Sequence, residues 1–187
     1  TRKISLFDDL STRIRLHINP FVGAMVERCR DASYPARYGS GLKGLKGQWQ
    51  RYFAERDPQG PQYPKIVFEI GIHMGRTLAA MAKERPDWAF VGMDITYKRV
   101  MTTAERILAS GRHNLIAVLG DARYCGDLFA PGELSGIVVF FPDPWSKKQR
   151  QGHNKLLNAE ICQKLAGLLE QDGFFWMKTD CAGYFNE

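Results

Sequence analysis

At 187 residues, 44% of them apolar and 25% charged, the chain suits one globular domain around a single buried core. No apolar run approaches the roughly 20 residues that a bilayer span needs, and Asp8 and Asp9 interrupt any signal-like pattern at the N-terminus. The expectation is therefore a cytoplasmic protein with no membrane partner. Four scattered cysteines without a C-x-x-C pair exclude a disulfide scaffold and a thiolate metal site, so reduced thiols and no metal are expected.

The net charge of +6 is unevenly placed. Residues 1–65 hold 12 Lys and Arg against 6 Asp and Glu, while residues 66–187 hold 14 of each, so the whole excess lies in the first third. A flank of this kind either faces a polyanion or solubilises the chain. The composition changes near residue 65, dividing the chain into a basic N-terminal extension and linker (1–64) and an α/β domain (65–187).

In the extension, Ile14–Met25 has mixed helical character. Tyr38–Gly47 (YGSGLKGLKG) is a Gly- and Lys-rich stretch, suited to a mobile loop or to lying along a phosphate backbone. Pro58, Gly60, Pro61 and Pro64 punctuate a linker. Beyond it, short apolar runs alternate with amphipathic stretches. Strands are predicted at Ile66–Ile70, Ala89–Met93, Leu115–Leu119, Gly136–Phe141 and Phe174–Lys178. Helices are predicted at Met74–Glu84, Tyr97–Ser110 and Asn158–Leu169, the last ending at a Gln171–Gly173 turn. Trp176, inside a strand, is assigned to the core. Strands alternating with helices imply right-handed βαβ units and a doubly wound, mostly parallel sheet.

Ligands of such sheets bind beyond the carboxyl ends of the strands. The first predicted strand ends in Glu69-Ile70-Gly71-Ile72-His73-Met74-Gly75, where Gly71 and Gly75 permit a sharp turn and a close approach to a ligand. The second ends in Asp94, 23 residues after Gly71, near the spacing of about 20 for a carboxylate that bonds ribose hydroxyls. The third runs into Gly120-Asp121-Ala122 and the fourth into Phe141-Pro142-Asp143-Pro144-Trp145. One acid at a strand end is an ordinary helix cap. Four in register (Glu69, Asp94, Asp121, Asp143) disfavour a pyrophosphate and favour a cation with hydrogen-bond donors. S-adenosylmethionine, with its sulfonium, ammonium, ribose diol and exocyclic amine, fits.

From about Lys65 to Tyr184 the sequence resembles the tRNA (guanine-N7-)-methyltransferases of the TrmB type. The most specific match is Phe141-Pro142-Asp143-Pro144-Trp145 followed by Lys147-Lys148. Phe68-Glu69-Ile70-Gly71, Gly120-Asp121-Ala122 and Thr179-Asp180 support it, as does Arg15-Leu16-His17-Ile18-Asn19-Pro20 upstream. The resemblance implies a Rossmann-like class I methyltransferase fold over residues 65–187, with Glu69, Gly71, Asp94, Asp121, Ala122 and Asp143 at S-adenosylmethionine. It further implies Asp143 as the catalytic acid, Lys147, Arg150, Lys155 and Asp180 on the substrate side, and tRNA, at its variable loop, as the partner. Monomer and homodimer are equally compatible with the sequence.

The pattern departs from the family in three places. His73 stands where the family has the middle glycine of G-x-G-x-G; it either crowds the cofactor, bonds it, or turns to solvent. The basic run after the F-P-D-P-W motif is thinned to Arg150 and Lys155. The last strands of the family fold are expected to be missing after Glu187. Alternatives are a non-catalytic RNA-binding paralogue or partner subunit, a small-molecule methyltransferase, and a nicotinamide-dependent dehydrogenase. The last would want glycine at His73 and has no use for Asp121 and Asp143. Trp145, Tyr97 and Trp176 are the aromatics considered for base stacking.

Overall fold

The computed structural model describes residues 19–143 and 156–182. Asn19 opens α1 (Pro20–Arg28), its side chain accepting from the Phe21 amide at 3.0 Å while Pro20 takes the first helical position. A two-residue strand β1 (Ala36–Arg37) and a 3-10 turn (Gly39–Leu42) lead to α2 (Trp49–Arg56). Then strands and helices alternate: β2 (Lys65–Ile70), α3 (Arg76–Glu84), β3 (Trp88–Asp94), α4 (Tyr97–Ser110), β4 (Leu115–Leu119), a 3-10 turn (Ala122–Tyr124), α5 (Cys125–Leu128), β5 (Leu134–Phe140), α6 (Ala159–Leu168) and β6 (Leu169–Lys178).

Among the described residues the sheet has the order β1-β4-β3-β2-β5-β6, with every pairing parallel. The strands run outward from β2 in both directions, so β2 and β5 flank the switch point of a Rossmann-like sheet. Side chains alternate faces along each strand, and both faces are covered. Val67, Phe90, Leu115 and Val138 pack with Leu78, Val100 and Ile107 under α3 and α4. Their sequence neighbours Phe68, Val91, Ile116 and Val139 join the other core, with Trp49, Phe53 and Leu165 from α2 and α6. Burial on both sides explains why these strands read as unbroken apolar runs.

The segment before β2 takes part in this packing. Val22 and Met25 of α1 and Tyr34 enter the core beneath α4. Trp49 is fully buried and its indole N–H donates to the Leu128 carbonyl at 2.9 Å. The Glu133 carboxylate accepts from the amides of Gly47, Trp49 and Ala130, capping α2 from across the fold.

Three features differ from the sequence reading. β1 carries no periodic signal, being two residues long; it exists because the chain passes beside β4. Gln171–Gly173 is not a turn ending a helix. α6 stops at Leu168 and the strand starts at Leu169, with Leu169 opposite Leu134 but Phe174 opposite Gly136. Residues 170–173 thus form a bulge inside β6, which lengthens the strand toward α6. Trp176 lies on this edge strand and is 50% exposed, not core. No helix among the described residues is long and apolar enough to cross a membrane.

Buried Asn114 ties the end of α3 to the sheet, its amide donating to the carbonyls of Ala82, Arg85 and Trp88 at 3.1, 3.3 and 3.0 Å. Replacing it by Ala strands these acceptors. Asn114→Ala is expected to lower unfolding stability by about 1–3 kcal/mol in urea denaturation; a loss well under 1 kcal/mol would mean that water reaches the site.

Candidate functional site

The carboxyl ends of β2, β3, β4 and β5 enclose a cleft of about 690 Å³, a size usual for small-molecule sites. Its floor is the loop between β2 and α3. Gly71, His73 and Gly75 there have φ of 79°, 48° and 67°, the left-handed region that costs a non-glycine residue about 1–2 kcal/mol. The amides of Gly71 and Ile72 donate to the Met93 carbonyl at 2.8 and 3.2 Å, and the His73 amide donates to Asp94 Oδ2 at 3.2 Å. Gly75 is needed for a second reason: a Cβ there would stand 2.4 Å from Thr103 Cγ2. His73 therefore occupies a glycine's conformation, with its side chain exposed at the cleft.

Glu69, Gly71, Asp94, Asp121, Ala122 and Asp143 all line this one cleft. Each acid has different surroundings. Glu69 is 3% exposed; burial pushes its carboxyl up to about 8, offset in part by the Leu78 amide, and its Oε2 has no hydrogen-bond partner. Asp94 is also buried, but it is well supplied: the Thr96 amide donates to Oδ1 at 2.9 Å, and Arg99 stands 3.5 Å from Oδ2. Asp121 is held by Arg123, two residues on. Asp143 is exposed at the mouth, two residues after Phe141, which is 63% exposed with a φ of 50°.

Asp180 is exposed beyond β6 and is not among the residues lining the cleft. Lys147, Arg150, Lys155 and Trp145 lie outside the described residues. No group of His, Cys, Asp and Glu suited to a metal ion occurs among the described residues. Sequence reading missed Arg99 and Arg123, which line the cleft beside Asp94 and Asp121. Their signal was present, an arginine within five residues of a strand-end acid, but on a helix surface such a cation is commonplace.

A family model described as "Putative methyltransferase" matches residues 64–187. The chain belongs to this methyltransferase family. Among relatives, a tRNA (guanine-N(7)-)-methyltransferase of Bordetella pertussis is 35% identical over 90% of the chain and 65% of its own length. Another of the same name, from Christiangramia forsetii, is 34% identical over 73% of the chain and 58% of its own length. The chain thus spans about three-fifths of the length of these relatives. A solved "antibiotic related Methyltransferase", 16% identical, superposes with a TM-score of 0.52 over 74% of this chain and 69% of the other, a likeness of fold.

The methyltransferase cleft carries a measurable proton linkage. An unfolded glutamate ionises near 4.5, whereas Glu69 holds its proton to about 8. Between those values the unfolded chain binds fewer protons, so this group's contribution to stability falls as pH rises. Glu69→Gln is expected to gain stability over wild type progressively from pH 4.5 to 8, reaching on the order of a few kcal/mol at the upper end. Urea denaturation at several pH values checks this, and a pH-independent difference would contradict it.

Proposed function

We propose that this methyltransferase moves the methyl group of S-adenosylmethionine to N7 of a guanine in tRNA, in the cytoplasm. The observation that carries the reading is the gathering of four strand-end acids in one cleft, one with a buried oxygen that has no hydrogen-bond partner. The relatives named for tRNA guanine-N7 methylation supply the substrate.

The cleft residues fit the cofactor. Along the sheet edge the acids run Asp121 (β4), Asp94 (β3), Glu69 (β2), Asp143 (β5). Asp94 would hold the ribose hydroxyls, Asp121 and Ala122 the adenine amine, and Glu69 and Gly71 the ammonium, with Asp143 lining the cleft from the β5 side. When bound, S-adenosylmethionine supplies an electrophilic methyl carbon on a positively charged sulfur.

The protein's own part is alignment and charge. Guanine N7 has an in-plane lone pair and no proton to lose, so no general base is required. The walls orient the base for in-line attack, and exposed Phe141 offers a ring on which a purine can stack. Asp143 holds the base edge and offsets the positive charge that the purine acquires. Arg150 and Lys155 contact tRNA phosphates, and Lys147 and Asp180 face the guanosine.

The test is a calorimetric titration of S-adenosylmethionine into the protein, followed by incubation with unmodified tRNA and detection of 7-methylguanosine. Binding with product is expected; absence of cofactor binding would overturn the reading. Asp143→Asn is expected to cut kcat by about 10²-fold or more, and unchanged turnover would remove Asp143 from the chemistry.

A further inference from the structure

In this structure the Asp121 carboxylate is satisfied from within its own loop. Its Oδ1 accepts from the Arg123 backbone amide and from Nε, both at 3.0 Å, and its Oδ2 accepts from Nε at 2.9 Å and from Nη2. A carboxylate offers about four lone-pair sites, and three Arg123 N–H groups, one of them shared, engage both oxygens, so a ligand amine that binds Asp121 has to compete with this one side chain. Asp94 also has three donors, but two of them are the backbone amides of His73 and Thr96, with Arg99 the third at 3.5 Å, so it is held mainly by fixed backbone and Asp121 by a side chain that can swing.

The Arg123 side chain is 61% exposed. A pair this open to water is held weakly, and rotation of one side chain carries the guanidinium out of the cleft. Lys46, from the Gly–Lys segment, anchors on the element that follows: its Nζ donates to the carbonyl of Gly126, three residues after Arg123 in the chain, at 2.6 Å. Lys43, in the same segment, is exposed. A guanidinium turned outward thus joins a cationic rim on which a phosphate backbone can lie.

We propose that Arg123 is a nucleic-acid phosphate contact released by the cofactor: the amine that claims Asp121 displaces Arg123, which then binds the RNA backbone beside Lys46. This rests on the methyltransferase reading above. It makes binding ordered in effect, the loaded protein holding RNA more tightly than the empty one. By linkage, RNA tightens the cofactor by the same factor.

The experiment titrates a fluorescent, unmodified tRNA transcript with the chain, with and without saturating S-adenosylhomocysteine, across a range of salt. Calorimetry gives S-adenosylhomocysteine affinity in parallel, for wild type and Arg123→Gln. In wild type, S-adenosylhomocysteine is expected to tighten tRNA about 5- to 10-fold and to steepen the log–log salt slope by about one unit, the mark of one more phosphate contact. Arg123→Gln is expected to lose both effects while binding S-adenosylhomocysteine at least as tightly as wild type. An enhancement that persists in Arg123→Gln overturns the inference. So does weakened S-adenosylhomocysteine binding in that variant, which would make Arg123 a fixed support of Asp121. If wild type binds S-adenosylhomocysteine without any gain in tRNA affinity, this inference alone fails. If it does not bind at all, the methyltransferase reading fails with it.

Discussion

The cleft depends on the way the end of β3 holds the loop that follows β2. The Met93 carbonyl takes two amides of that loop and the Asp94 carboxylate takes a third, so the left-handed residues at 71, 73 and 75 are pinned from the neighbouring strand. For the two glycines this conformation is open, and for His73 it is unfavourable. The loop keeps this shape because the parallel register of β2 with β3 sets Ile70 beside Met93 and delivers those acceptors to the right place. The same carboxylate also takes the Thr96 amide at the start of α4. One strand end thus fixes the entry to two helices.

Four acids around one cleft would repel if all were bare charges, and the fold resolves this separately for each. Burial keeps a proton on Glu69 at neutral pH. Asp94 is surrounded by amides and an arginine, Asp121 is paired with Arg123, and Asp143 stays in water. A cationic ligand of the kind proposed above would exchange partners with these groups rather than find a set of unpaired charges.

Much of this was legible in the sequence for a definite reason. Central strands buried on both faces are written as apolar runs, and an acid ending such a run must lie at the sheet's carboxyl edge, so Glu69, Asp94, Asp121 and Asp143 could be placed together without coordinates. Other features had no local signature. β1 is a strand because of what lies next to it. The Gln171-Asp172-Gly173 run has turn chemistry yet sits in a bulge, because pairing with β5 resumes beyond it. Trp176 reads as core by its type and strand setting, but an edge position leaves it half exposed. Arg99 and Arg123 look like solvated helix cations until their neighbours are known. His73 was visible as a departure from glycine, but its left-handed backbone was not.

The bulge at residues 170–173 bears on how this sheet edge behaves toward other chains. β6 ends the sheet among the described residues, with Phe174, Phe175 and Trp176 partly exposed, and a flat apolar edge of that kind invites stacking between molecules. The bulge divides the edge into two pieces out of step with each other. Any strand laid beside β6, whatever its source, meets an unbroken ladder only over Phe174–Lys178 and has to change step beyond it.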